Sequence, residues 1–367
     1  MRFLSNGICA TLFGYVVAVL LAACGGSQPP ELAPNLTAPS AAGRAELEKA
    51  RGQGNGGDVA LWVTNPDYNY LIGTNLKGNK TVSAIHVSDN GCTEPLTVHS
   101  DVHGNAWTAC FVGPNSEGPA EQEYSKTGSL VATYNVTAQG CPASSQCSAY
   151  GFDGGVSGRD VFVEQSEAYI TDCAGSCSDK YLPAGVSRMT SPSATPTFIS
   201  LGSFGKPAYF MYYMALDGNG NIWFDYYGSS NSQCCYGVGE IAGATGNNPT
   251  VKFILVPGTL QWPGGIEIAN NTAYITDPKT RLTYAYSLPI TPSSMPNATY
   301  GPTPENKDGC GAPSSGGFNK AGSVLALADG CGWLDLTTIP GNANSVVHNN
   351  DFAPSLGGAA YVNSARP

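Results

Sequence analysis

Acids and amides recur at one kind of position in this sequence of 367 residues, at the end of a short apolar run. The clearest copies are "EAYITD", which ends at Asp172, and "TAYITD", which ends at Asp277. Carboxylate and amide oxygens are the ligands that Ca²⁺ and Mg²⁺ prefer. Similar runs occur along the chain, and their last residues hold equivalent positions. These residues form one candidate ligand or metal ring: Asn65, Asp172, Asp225, Tyr226, Asp277 and Asp329. The alternative is that each side chain caps its own turn by accepting local backbone N–H groups.

The elements that must position these residues come from an internal repeat. The segments 264–289 and 316–340 share a Gly-Gly entry, three short strands and a final Pro. The second strand recurs with anchor residues spaced 45, 62, 54, 51 and 52 residues apart, namely Trp62, Trp107, Tyr169, Trp223, Tyr274 and Ala326. Six copies of three or four alternating strands predict an all-β fold, a six-bladed β-propeller with four-stranded blades.

The two ends of this repeat array predict how the ring closes. The first copy begins at its second strand, Asp58 to Asn65, and lacks an innermost strand. The C-terminal "LGGAAYVNSA" repeats the pattern of "PGGIEIANN", which opens the fifth copy. We therefore expect residues 357–363 to supply the innermost strand of blade 1, which would cover two open sheet edges.

The N-terminus is predicted to lie outside the propeller, which we assign to residues 58–367. Residues 1–23 contain an apolar run that is too short for a spanning helix and is typical of a signal peptide. The run ends in "LAAC", and this motif resembles the lipobox of bacterial lipoproteins, which implies cleavage before Cys24 and acylation of that residue. An ordinary signal peptide is the alternative. Residues 24–57, rich in Pro, Ala and Gly, are predicted to form a flexible tether.

The lipobox resemblance also implies a location. It predicts an exported protein anchored in the lipid bilayer of the bacterial cell envelope. Gly25 rather than Asp follows the Cys, which by the same resemblance favours the outer membrane if the organism has two membranes.

One repeat resembles a known propeller family. "DGNGNIWF", followed by "GVGEIAGATGNNPTVKFIL", is similar to repeats of virginiamycin B lyase and NHL-type propellers. The lyases use His and Glu residues around magnesium, and this set is not matched: we place His86 and His348 on outermost strands, His103 in a turn and only His99 on an innermost strand. For these His the sequence favours surface positions or local hydrogen bonds. Six-bladed propellers of the gluconolactonase type hold a metal at the tunnel mouth with acid and amide side chains. The candidate ring of this chain resembles that site in fold and residue type only, because no specific motif matches.

Ten of the 12 cysteines follow Cys24, an even number that predicts disulfides in an exported protein. The repeat map suggests five pairs: Cys92–Cys110, Cys141–Cys147, Cys173–Cys177, Cys234–Cys235 and Cys310–Cys331. A bond between the neighbours Cys234 and Cys235 would be strained, and a free thiol pair or an intermolecular link stays open. All five pairs are expected on the face formed by loops that join second to third strands and one blade to the next.

Three classes of function follow from these features. The formal net charge of −10 and the absence of a basic patch exclude nucleic acid as the expected partner. We favour a binding or scaffolding lipoprotein that holds an unknown protein or glycan through its disulfide-stapled loops. A Ca²⁺- or Mg²⁺-assisted hydrolase or lyase acting at the tunnel mouth is the second class, and a purely structural envelope protein is the third. No nucleophile motif or metal-ligand spacing supports the enzyme.

Overall fold

The structure is a computed structural model, and it describes most of the predicted propeller domain. The described residues are 42, 45, 59–75, 80–114, 118–141, 146–170, 182–202, 208–230, 233–255, 260–262, 264–303, 313–347, 352 and 355–362. The predicted signal peptide, Cys24 and nearly all of the tether lie outside them. Within these ranges, no helix has the length and apolar character needed to cross a bilayer.

Six four-stranded antiparallel sheets form the chain's main architecture, which confirms the prediction of an all-β, six-bladed propeller. Blade 1 contains β26 (Ala359–Tyr361), β1 (Leu61–Asn65), β2 (Tyr70–Asn75) and β3 (Lys80–His86), in this order from the axis outward. Blade 2 contains β4 (Thr93–Ser100), β5 (Ala106–Val112), β6 (Ala120–Tyr124) and β7 (Leu130–Asn135). Blade 3 contains β9 (Gly154–Ser157), β10 (Asp160–Gln165), β12 (Ala184–Met189) and β13 (Thr197–Gly202).

The second half of the ring repeats the same order. Blade 4 contains β14 (Ala208–Leu216), β15 (Ile222–Ser230), β16 (Gln233–Ala242) and β17 (Thr250–Leu255). Blade 5 contains β18 (Ile266–Ala269), β19 (Thr272–Asp277), β20 (Leu282–Ser287) and β21 (Ala298–Tyr300). Blade 6 contains β22 (Pro313–Phe318), β23 (Val324–Asp329), β24 (Trp333–Thr338) and β25 (Asn344–Val347).

The C-terminal strand closes the ring as predicted. β26 pairs with β1 in antiparallel register, with Trp62 opposite Ala360, although the strand is shorter than residues 357–363. The innermost strands contact one another in the circular order β4, β9, β14, β18, β22 and β26, and β26 contacts β4 again. Closure therefore leaves no innermost strand without a neighbour.

Apolar side chains fill the spaces between blades. In the described part of the chain, each of the six contacts between neighbouring blades has its own buried cluster. Trp62 fills the contact between blades 1 and 2, and Trp223 fills that between blades 4 and 5. The anchor of each second strand thus faces the next blade, which explains why large apolar residues recur there.

Blade 3 departs from the prediction, because "EAYITD" is not its second strand. β10 holds that place, and its Phe162, opposite Gly155, is the anchor instead of Tyr169. "EAYI" forms β11 (Glu167–Ile170), which pairs with β8 (Cys147–Tyr150) in a separate two-stranded sheet. The two ladders share one register, so β8–β11 prolongs the first hairpin of blade 3 beyond the ring. The sequence prediction of "EAYITD" as the second strand of blade 3 is therefore wrong, because this segment continues that strand beyond the ring.

The stretch "LDGNGNIWF" is a hairpin turn between β14 and β15. The Asp217 carboxylate accepts hydrogen bonds from the backbone N–H groups of Asn219 and Asn221 at 2.8 and 3.0 Å, and from the Trp223 indole at 3.1 Å. Gly220 has a φ of +77°, which favours glycine. Asp101 makes the same set of bonds in blade 2. In each blade the carboxylate accepts the free backbone N–H groups of the turn and also bonds the indole N–H group of the anchor Trp.

Candidate functional site

Three residues of the predicted ring satisfy backbone groups around their own turns. Asp277 accepts the N–H groups of Lys279, Thr280 and Gln261, the last at 2.6 Å. Asp329 accepts the Cys331 N–H group at 2.8 Å. Asn65 accepts the Tyr68 N–H group at 3.2 Å and donates to the Phe352 carbonyl at 3.3 Å.

These bonds match the alternative in which each side chain of the predicted metal ring accepts local backbone N–H groups. Within the described ranges, no group of three or more His, Cys, Asp or Glu side chains has the geometry of a metal site. A Ca²⁺ or Mg²⁺ site formed by Asn65, Asp277 and Asp329 stays a prediction. Asp172 lies outside the described residues.

Tyr226 does not belong to the predicted ring, and its neighbour Asp225 points the opposite way. The Tyr226 ring is buried against Phe224 and Phe253, between blades 3 and 4. The Asp225 carboxylate accepts the Tyr213 N–H group at 2.8 Å and the Gly265 N–H group of blade 5 at 3.3 Å. Successive side chains of a strand point to opposite faces, so the two residues cannot share one site.

A different set of residues surrounds the axis, on the innermost strands. The register places one residue opposite each anchor: Ala360, His99, Gly155, Ala215, Glu267 and Gly317 in blades 1 to 6. Four of these residues are Gly or Ala. Among these six residues, His99 and Glu267 have the long side chains, and they lie in blades 2 and 5, on opposite sides of the ring.

His99 forms an ion pair with Asp153, the residue that precedes β9. The distance between His99 Nε2 and Asp153 Oδ1 is 2.9 Å, and the His99 side chain keeps 22% of its surface exposed. Burial alone would lower the pKa of His99, but the charge and hydrogen bond of Asp153, with Glu267 and Glu121, raise it to about 9. At neutral pH the imidazole is therefore protonated.

The Asp153 carboxylate is held by donors from three blades. Oδ1 accepts the Thr97 hydroxyl at 2.6 Å and the Gly154 N–H group at 2.7 Å, and Oδ2 accepts the Met214 N–H group at 2.7 Å. With His99, this gives four donors from blades 2, 3 and 4. Their convergence fixes the orientation of the imidazole.

Glu164 occupies the break between the two ladders of the long hairpin. Its Oε2 accepts the N–H groups of Phe152 and Asp153 at 2.9 and 2.7 Å, and its Oε1 accepts the Ser166 hydroxyl. These bonds satisfy backbone groups that the interrupted ladder leaves without strand partners. Burial is the main cause that raises the pKa of Glu164 well above its usual range.

Glu121, on the third strand of blade 2, is a buried acid that lacks such bonds. Its exposed fraction is 0%, and neither carboxyl oxygen has a hydrogen-bond partner among the described residues. The carboxyl lies against Gly154, at the start of β9, where any side chain would collide with it. Burial raises the pKa of Glu121 well above its usual range, and His99 offsets part of this rise.

Glu267 and Asp225 complete the acidic surroundings of the axis. Burial raises the pKa of each to about 8, and the charge of Asp153 adds to both shifts. Glu267 is half-buried, and its Oε1 accepts the Gly316 N–H group at 3.3 Å. We call His99, Glu121, Asp153 and Glu267 the axial cluster.

The sequence signal for the axial cluster was a charged residue inside an otherwise apolar strand. Glu267, a member of the cluster, lies between two Ile residues in "GGIEIA", and Glu164, which accepts the Asp153 N–H group from outside the cluster, follows "DVFV". His99 lies on an innermost strand, as the sequence predicts, but the surface position or local hydrogen bond expected for it is replaced by a bond to Asp153. Its partner Asp153 lies 54 residues away in the chain, in the next blade.

The loops joining second to third strands, and those joining blades, form one face of the ring, which we call the stapled face. It contains disulfides between Cys92 and Cys110 and between Cys141 and Cys147, two of the predicted pairs. Cys331 is also disulfide-bonded. Cys173, Cys177 and Cys310 lie outside the described residues, and so do the side chains of Cys234 and Cys235, whose backbone belongs to β16.

Comparison with known proteins shows only the fold. No protein-family model matches the chain, and no curated protein matches its sequence. A chain of the Nidogen/Laminin complex superposes with a TM-score of 0.51 at 13% identity, covering 83% of this chain and 98% of that one. This likeness is one of fold.

Two further solved structures are similar at lower scores. A functionally unknown protein from Desulfotomaculum acetoxidans DSM 771 gives a TM-score of 0.48 at 11% identity, covering 84% of this chain and 99% of that one. A luciferin-regenerating enzyme gives 0.42 at 12% identity, covering 72% of this chain and 78% of that one. The axial cluster and the stapled face are therefore interpreted from this chain's own residues.

Proposed function

We propose that the chain is an exported lipoprotein, anchored to the cell envelope through acylated Cys24, that holds a protein partner or a glycan on its stapled face. The observation that supports this proposal is the long hairpin of blade 3. β8 and β11 continue the blade beyond the ring on this face, and a small apolar cluster of Ala138, Ala149 and Leu182 packs beneath them. An extension of this kind adds surface without contributing to ring closure.

The cross-links support the same interpretation. Cys141–Cys147 closes the loop that leads into β8, and Cys92–Cys110 ties the entry of blade 2 to the end of its second strand. Both disulfides restrict loops in the free protein. Less conformational entropy is therefore lost when these loops become ordered on binding a partner. Tyr68, in the β1–β2 loop of this face, is 55% exposed and offers an aromatic contact. Rigid loops on a rigid scaffold are typical of binding surfaces.

Site-specific photo-crosslinking in the native cells tests the stapled face. A photo-reactive amino acid would replace Tyr68 in the full-length chain, and the matched control would replace Met295, which is 56% exposed in the β20–β21 loop on the opposite face. We expect an adduct from position 68 and none from position 295. Protease and glycosidase digestion of the adduct would identify the partner as protein or glycan. Equal adducts from both positions, or none from either, would contradict the proposal.

The anchor has its own test. Cells grown with an alkyne-labelled fatty acid should label the chain, and Cys24→Ser should remove the label and release the protein from the membrane fraction. Labelling that survives in the variant would exclude Cys24 as the acylated residue.

A further inference from the structure

The chain enters the ring on the face opposite to the stapled face. We call this opposite face the short-turn face, because it consists of the turns that join first to second and third to fourth strands. Ala60, just before β1, donates its N–H group to the Thr74 carbonyl at 2.9 Å and accepts the Val362 N–H group at 3.1 Å. Thr74 lies near the end of β2, before the β2–β3 turn, so this junction belongs to the short-turn face.

The position of this junction decides which face lies nearer to an anchor at Cys24. Nearly all of residues 24–57, the predicted tether, lies outside the described part of the chain. A flexible chain of that length spans about 30 Å on average. The direct path from the anchor reaches the short-turn face, whereas turning the stapled face toward the lipid would require the tether to run around the outside of the ring. With acylated Cys24 in a bilayer, the short-turn face is therefore the nearer one.

Exposed aliphatic side chains concentrate on blade 2 of this face. Val102, in the β4–β5 turn, is 46% exposed, and Leu130 and Val131, which open β7, are 40% and 55% exposed. They are three of the five large apolar side chains that are exposed in the described part of the chain. Blade 2 adjoins blade 1, where the chain enters: a side chain at Gly128, in the β6–β7 turn, would meet Ile85 of β3 at 3.2 Å. Exposed apolar side chains that occur together are typical of a contact surface.

Unpaired positive charge on the short-turn face flanks the same junction. Lys126 is exposed in the β6–β7 turn of blade 2, Arg159 in the β9–β10 turn of blade 3 and Lys320 in the β22–β23 turn of blade 6. None of these three forms an ion pair with a described acid. The acids that the structure shows on this face each have a hydrogen-bonded partner in their own turn or on a neighbouring strand: Asp101, Glu123, Asp160, Asp217 and Glu240.

The stapled face has the opposite charge near the same blades. Asp67, Asp89 and Glu94 are exposed in its loops around blades 1 and 2. Lys279, an exposed base on this face, lies in the β19–β20 loop of blade 5. An anionic surface would therefore repel the stapled face of blades 1 and 2 and attract the short-turn face of the same blades.

We propose that the half of the short-turn face formed by blades 6, 1, 2 and 3 rests on a phospholipid bilayer that contains anionic headgroups, and that the stapled face is directed away from the lipid. This proposal rests on the anchoring proposed for Cys24 and adds an orientation to it. The aliphatic side chains of blade 2 enter the headgroup region, and Lys126, Arg159 and Lys320 meet the lipid phosphates. Each basic residue near an anionic surface strengthens binding about fivefold, and the tether adds to this by holding the ring close.

Fluorescence quenching on the full-length acylated chain tests this orientation. A fluorescent amino acid would replace Val131, and matched proteins would carry it in place of Met295, in blade 5 on the far half of the same face, or in place of Tyr68 on the stapled face. The chain would be reconstituted in vesicles of phosphatidylethanolamine and phosphatidylglycerol that contain a nitroxide-labelled lipid. We expect loss of fluorescence at position 131, and retained fluorescence at positions 295 and 68.

Unacylated protein measures the surface without the anchor. The full-length Cys24→Ser chain should co-sediment with the same vesicles, bind phosphatidylcholine vesicles far more weakly, and dissociate in high salt, because salt screens the charges. Adding Lys126→Ala should weaken binding to the anionic vesicles about fivefold. Lys279→Ala removes an exposed base from the stapled face, so it is the matched control and should leave binding unchanged. Thermal melts of both variants should match that of the Cys24→Ser chain.

The outcomes separate the orientation from the anchor. Equal quenching at positions 131 and 295, or none at 131 in a chain that co-sediments with the vesicles, would overturn the orientation and leave the anchor intact. Self-association of the Cys24→Ser chain that Val131→Glu abolishes would identify a second copy as the occupant of this surface, and would also overturn the proposal.

A wild-type chain that stays in solution would instead refute the anchor. Binding of the Cys24→Ser chain to anionic vesicles then decides the question: binding that depends on Lys126 would support the lipid surface, and no binding would overturn it. The crosslinking test of the stapled face is independent of these results.

Discussion

The loss of stability with rising pH should depend on a buried acid far from the axial cluster, Asp335. This residue lies on β24, is 1% exposed, and shares a side-chain hydrogen bond with Asp329, which favours its protonated form. Burial, reinforced by the charge of the neighbouring Asp329, raises its pKa from 3.8 to about 8, and Arg281 offsets part of the rise. The folded protein therefore retains a proton that the unfolded chain has already lost.

The sign and size of the effect follow from this difference in pKa. Between the unfolded and the folded pKa the native state binds more protons, so the free energy of unfolding falls as pH rises. At about 1.4 kcal/mol for each pKa unit, ionisation of Asp335 removes about 4 kcal/mol between pH 5 and pH 8.5. Asp335→Asn cannot ionise and should avoid this loss.

Reversible urea unfolding at pH 5 and pH 8.5 measures the difference. With a slope of about 3 kcal/mol per M, the midpoint of Asp335→Asn should exceed that of the wild type by about 1 M more at pH 8.5 than at pH 5. Asp89→Asn, at an exposed position, is the control and should follow the wild type. If Asp335→Asn and the wild type lose stability in parallel as pH rises, the assignment of this loss to Asp335 is refuted.

Three further predictions concern closure, turns and cross-links. Deletion of residues 356–367 removes β26 and should cause global unfolding, and an unchanged thermal melt would contradict the closure that β26 provides. Asp217→Ala removes the acceptor of the β14–β15 turn and should cost about 2 kcal/mol in urea unfolding. Replacing both Cys92 and Cys110 by Ala opens a link between residues 18 positions apart, and should lower the free energy of unfolding by about 3 kcal/mol; a loss below 1 kcal/mol would contradict this.

The sequence predicted the blades well where a large anchor side chain recurs. Trp62, Trp107 and Trp223 each fill a contact between blades, so their spacing in the chain reflects a packing requirement. The prediction failed in blade 3, where Phe162 is the anchor and the more conspicuous "EAYITD" continues the strand beyond the ring. Apolar alternation shows that a strand exists, and it does not show which strand it pairs with.

The predicted ring of acids was inferred from equivalent positions in the repeat. Equivalent positions in a repeat have equivalent surroundings, so residues at the end of the second strand, such as Asp277 and Asp329, accept hydrogen bonds from their own turns. The axial cluster instead combines positions that are not equivalent, among them His99 on a first strand and Glu121 on a third. A search for repeated residues cannot find a site that breaks the repeat.

The sequence by itself therefore determined the number of blades, the closing strand and the turns, because each depends on local pattern and on spacing along the chain. The tertiary structure alone decided the site at the axis. His99 and Asp153 are 54 residues apart, and Glu267 lies three blades away, so only ring closure brings their charges together. Burial then sets the protonation of these groups, because it depends on the packing of neighbouring blades and not on the residues beside them in the chain.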